Sequence, residues 1–124
     1  MDRLRRIGAL FFGISGSIAV LLFALARHSA PIWRRELYEV AGQQMLFHSF
    51  LGLLICALWD RFGRFYFVPI MFCAVGILLF CLPIVLRING VIETSPTAPF
   101  GGLAFNLAWL SAGISIFIGQ KRSD

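Results

Sequence analysis

Three polar side chains, Gln43, Gln44 and His48, stand inside one long apolar run, Val40 to Trp59 (VAGQQMLFHSFLGLLICALW). An imidazole exchanges protons near neutral pH, and an amide both donates and accepts hydrogen bonds. As a helix the run crosses roughly 30 Å of hydrocarbon, so these groups would lie where water cannot satisfy them. Two other apolar runs carry polar residues of a similar kind, Ser17 in the first and Asn106 in the last. Counting about 1.5 Å per residue from one membrane face puts His48 roughly 12 Å deep, Asn106 roughly 10 Å deep and Ser17 at about the same level. Gln44 is one turn above His48 on the same helix face. Ser17, Gln44, His48 and Asn106 are therefore expected to share one intramembrane polar layer, with a hydrogen bond from His48 to another member. One chemistry that suits such a layer is a structural cluster that fixes helix register, worth about 0.6 kcal/mol per contact and up to about 2. The other is a proton or ligand site centred on His48.

The same counting excludes sharper readings. A haem between His28 and His48 would need both rings at one iron, yet His28 lies beyond the end of the first run, roughly 15 Å from His48 in depth. No cofactor is expected. Small multidrug transporters of this size depend on a membrane-embedded carboxylate, whereas Asp2, Glu36, Glu39, Asp60, Glu93 and Asp124 all fall outside the apolar runs. A small transporter or channel-like protein built around His48 is the alternative to a structural role. No Ser/His/acid set, paired carboxylates or metal-ligand spacing is visible, so no enzyme is expected. Cys56, Cys73 and Cys81 lie in apolar runs at different depths, which suits small buried side chains and disfavours a bridge.

The elements that must hold this layer follow from composition. Of the 124 residues 59% are hydrophobic and only 14% charged, against about a quarter charged in soluble domains. The expected architecture is an all-α membrane protein, one domain over 1–124, with four transmembrane helices near 7–26, 40–59, 65–86 and 99–119 in an up-down-up-down bundle. Small residues recur every four positions in the first and last runs. Ala9, Gly13 and Ser17 form one ridge, and Ala104, Ala108 and Ala112 another, with Gly101 and Gly102 at the entry to the last helix. Such ridges let backbones approach closely in lipid. Pro83, near the end of the third run, should kink its helix or free a carbonyl for a neighbour to satisfy.

The net charge of +5 comes from residues that flank the apolar runs and form no stripe, so it reads as a topology signal and not as a nucleic-acid surface. With the N-terminus in the cytoplasm, that side holds Arg3, Arg5, Arg6, Arg61, Arg64, Lys121 and Arg122. The other side holds Arg27, Arg34, Arg35 and Arg87, and seven against four favours both termini inside. A signal peptide ending at Ala26 is disfavoured, because the first run exceeds the usual h-region of about 7–15 residues. The expected partners are the lipid bilayer and either a second copy of the chain or a larger membrane complex.

Several motifs carry a resemblance: Ala26-Arg27-His28 at the end of the first helix, Phe47-His48-Ser49-Phe50-Leu51 in the second, and Pro99-Phe100-Gly101-Gly102 leading to Trp109 in the fourth. In these the chain resembles the YgdD and transmembrane protein 256 family of small integral membrane proteins, a domain of unknown function. Cys81-Leu82-Pro83 stands where that family has Ser-Gly-Ser. The resemblance implies a four-helix protein of the bacterial inner membrane, from a family with no established activity.

Overall fold

Backbone N–H and C=O groups in hydrocarbon must be satisfied within the chain, and each apolar run does so as a helix. A computed structural model describes residues 3–28 and 31–119. Asp2, Lys121, Arg122 and Asp124 lie outside the described residues. Four helices are long and apolar enough to cross a membrane: α1 (Arg3–His28), α2 (Ile32–Ala57), α3 (Phe67–Ile88) and α4 (Ala98–Gly119). They pack as antiparallel neighbours in an up-down-up-down bundle, and the chain is an integral membrane protein. Outward-facing Leu10, Leu21, Leu103 and Phe117 present the apolar surface that lipid requires.

α2 is one continuous helix from Ile32, with Pro31 extended just ahead of it (φ −61°, ψ 157°). Its 26 residues exceed the hydrocarbon thickness, so the turns carrying Trp33, Arg34, Arg35 and Glu36 project beyond it. A short 3-10 segment, Trp59–Phe65, links α2 to α3 and turns at Gly63, whose φ of 68° suits glycine. Arg5 ties the start of α1 to the end of α2: its Nε donates to the Cys56 carbonyl at 3.3 Å, and its guanidinium lies 4.6 Å over the Trp59 ring.

α3 is uneven. Pro69 sits in its first turn, where the missing N–H costs nothing. Residues Ile77–Cys81 form a π turn, in which the Leu82 N–H reaches the Ile77 carbonyl. Pro83 follows directly and has no N–H for the Leu79 carbonyl four residues back. The Thr97 hydroxyl donates to that carbonyl at 2.9 Å, the neighbour that the sequence calls for.

The core shows which small residues let helices approach. Gly42 faces the Ala19 carbonyl, and the Phe12 ring occupies the space a side chain on Gly52 would need. On the other hairpin the Phe105 ring fills the corresponding space at Gly76, and a Cβ on Gly101 would lie 2.6 Å from the Phe80 nitrogen. Ala104, Ala108 and Ala112 are buried, so that ridge faces inward.

The ridge expected on α1 does not. Ala9 is half-buried against the core, but Gly13 is exposed with open space around it, and Ser17 is exposed. The buried face of α1 runs through Gly8, Phe12, Ser15, Ala19, Leu22 and Ala26. A four-residue spacing identifies a row on a helix without saying which way the row points. Here large Phe12 and Leu22 lie in the contact, matched by glycines on the partner helix.

Candidate functional site

His48 is 3% exposed and sits where α2 meets α4. α4 lays its backbone mainly against α3 and reaches α2 through side chains at this point. The His48 Nδ1 is 2.7 Å from the Gln44 carbonyl one turn earlier, and the Trp109 indole Nε1–H donates to His48 Nε2 at 3.1 Å. An indole nitrogen only donates, so Nε2 must accept. Nδ1 then carries the proton and donates it to the Gln44 carbonyl, which defines a neutral imidazole. Its ring stacks on Phe105 (centroids 3.7 Å apart, planes 16° apart), and Trp109 meets it edge-on at 6.2 Å. Phe105 in turn rests on Gly76 and packs against Phe80 at 5.7 Å. One imidazole thus joins α2 to α4, and through Phe105 to α3.

Beside this joint is a cavity of about 500 Å³, open on one side, which Gln44, His48 and Asn106 line together with Phe80, Gly102, Phe105 and Trp109. Gln44 is half-buried and Asn106 exposed, and neither side-chain amide has a hydrogen-bond partner among the described residues. Gly102 borders the cavity with open space where a side chain would be. Chemically, then, the site holds one saturated imidazole and two amides with free donors and acceptors.

The structure brings together three of the four residues expected in the polar layer. Ser17 is not among them. It lies two residues, or about 200° around the helix, from both Ser15 and Ala19, which are buried. α1 packs chiefly on α2, with a lesser contact to α3, and lies apart from α4, so turning Ser17 about its helix would not bring it to His48. The buried hydroxyl of α1 is Ser15, bonded to the Phe11 carbonyl at 2.9 Å. Depth counting fixes a level and leaves azimuth open, which is why it admitted Ser17.

Trp109, Phe105 and Phe80 are the site residues that sequence reasoning missed. A signal for Trp109 was present: the depth count that gave Asn106 puts it at about 14 Å, level with His48. An indole N–H at that depth needs an acceptor, and His48 is a ready one. Among the described residues no cluster of His, Cys and acidic side chains is large enough to hold a metal ion.

The fold and site define a small integral membrane protein with a polar joint in its helical interior. No family model matches the chain, and searches of curated proteins and of solved structures find no match.

Proposed function

We propose that this protein is a non-enzymatic accessory component of the bacterial inner membrane that acts by associating with another transmembrane partner. The observation that carries the reading is the contrast within one site. Both ring nitrogens of His48 are engaged inside the chain, whereas the amides of Gln44 and Asn106 are not. An imidazole so held is a fastener, and releasing a ring nitrogen to carry protons would break the joint between α2 and α4. Unpaired amides at membrane depth favour a neighbouring helix that supplies hydrogen bonds. The partner is a second copy of the chain or a larger complex.

Two further parts of the proposal rest on sequence. The excess of basic residues, seven against four, on the side that carries both termini supports a cytoplasmic placement of those termini. The resemblance to the YgdD and transmembrane protein 256 family supports the inner membrane, and Gly101 of the shared Pro99-Phe100-Gly101-Gly102 stretch lies where backbones meet. Small-molecule transport is the second reading, favoured by the open side of the cavity beside His48.

Purification from membranes in mild detergent tests the proposal. A stoichiometric partner, or a second copy, should co-purify with the native chain and be lost with the double change Gln44→Leu and Asn106→Leu. Proton-coupled flux by the protein alone in liposomes, abolished by His48→Gln with the fold intact, would replace the accessory reading with transport.

A further inference from the structure

At the membrane face carrying the connection between α1 and α2, the two helices leave a cleft of about 390 Å³, lined by Arg27, Glu39, Gln43, Phe23, Leu46 and Phe47. That is far more than the roughly 30 Å³ a water molecule occupies in the liquid. The cleft has a direction. Phe23 is level with Gly42, and Gly16 with Ser49, so the helices are in register along the hairpin. Arg27, one turn beyond Phe23, therefore stands at about the height of Glu39, roughly 6 Å above Phe23. Leu46 and Phe47 lie seven and eight residues past Glu39, about 10 to 12 Å deeper. Polar groups of both signs crown the cleft and apolar side chains floor it.

Neither Arg27 nor Glu39 has an ionic or hydrogen-bond partner among the described residues. An occupant that satisfies both must carry an anion and a cation together, with an apolar tail below them. We propose that the cleft binds a phospholipid whose headgroup bears a phosphate and a primary ammonium. The phosphate pairs with the Arg27 guanidinium, a donor fork suited to phosphate oxygens. The ammonium donates hydrogen bonds to the Glu39 carboxylate and the Gln43 amide oxygen, and one acyl chain runs along Leu46 and Phe47. A quaternary ammonium has no N–H to donate, and an anionic glycerol headgroup, whose phosphate Arg27 can still bind, brings no cation to Glu39. The site therefore selects phosphatidylethanolamine over phosphatidylcholine and phosphatidylglycerol. It lies across α2 from the His48 joint and does not depend on the accessory role.

Native mass spectrometry of the full chain in detergent, delipidated and then offered the three lipids at equal concentration, tests this. Phosphatidylethanolamine should be retained roughly fivefold or more over phosphatidylcholine, in keeping with a hydrogen bond to a charged group. Glu39→Gln should bring that ratio near one, and Arg27→Gln should lower retention of both lipids. Glu36→Gln, on the same helix outside the cleft, should change neither. A series of N-methylated headgroups needs no variant: retention should fall with each N–H removed. Glycerophosphoethanolamine, which lacks acyl chains, should compete poorly, and effective competition by it would mean a soluble-headgroup site. Equal retention of the ethanolamine and choline lipids by the native chain, or a ratio unmoved by Glu39→Gln in a chain that melts normally, would overturn the proposal.

Discussion

The contact between α1 and α2 and the contact between α2 and α4 solve one problem by opposite means. α1 and α2 are consecutive, lie together along their whole length, and bring Gly42 against the Ala19 backbone and Gly52 beneath Phe12. Dispersion over many close atoms holds most of that length, with the Arg5 bond to the Cys56 carbonyl at one end. α2 and α4 are separated in sequence by α3, and their backbones stay apart. They are joined by the hydrogen bond from Trp109 to His48 and by the stacked Phe105 ring. Close packing carries a membrane contact where backbones can meet. Where only side chains reach, one hydrogen bond between side chains and a stacked ring hold the contact.

The comparison can be broken, and the largest effect should come from the tightest backbone approach. Gly101→Leu would drive a side chain into the Phe80 backbone, and we expect a loss of more than about 3 kcal/mol or no folded protein, beyond the usual cost of overpacking. Unfolding in detergent, followed by circular dichroism, reads this directly. Ala108→Leu, at a fully buried position on the same helix, should cost about 1–3 kcal/mol in the same assay. A change within experimental error would put that ridge on the lipid side.

The polar joint should be weaker. His48→Leu should cost about 1–2 kcal/mol, because it strands the Trp109 N–H as well as removing two contacts. His48→Gln, which keeps a donor and an acceptor, should cost less. Nitrogen-15 NMR of the imidazole should show a neutral ring protonated at Nδ1, and a proton on Nε2 would contradict the bond from Trp109. Gly13→Leu should have the smallest effect, within about 0.5 kcal/mol, since open space surrounds that position. A large loss there would restore the ridge of Ala9, Gly13 and Ser17 as a packing face.

The helices were legible in the sequence because membrane helices are announced by run length and hydropathy, and Pro83 announced a carbonyl in need of a donor. What stayed hidden was rotation. Ser17 and Asn106 looked alike by depth, yet one lies on the far side of α1 and the other borders the cavity at His48. The four-residue repeat of Ala104, Ala108 and Ala112 and that of Ala9, Gly13 and Ser17 were equally regular, but Phe12 and the glycines opposite it decided the face of α1. The joint itself was half visible: His48 stood out as a titratable group, while Trp109 stood out only as the residue to which the Pro99-Phe100-Gly101-Gly102 stretch leads, and not as a hydrogen-bond donor.

The bond from Thr97 to the Leu79 carbonyl bears on how the protein is made. Its two ends are 18 residues apart, so the donor emerges from the ribosome after all of α3 has been synthesised. Until then the carbonyl that Pro83 cannot serve has no donor from its own helix four residues on, and lipid offers it none. α3 is nonetheless the most apolar of the four spans, with a mean hydropathy of 2.7, so its entry into the bilayer does not wait for α4. The Thr97 hydroxyl then closes over the Leu79 carbonyl of a span already made, and so fixes where the chain turns back towards α4.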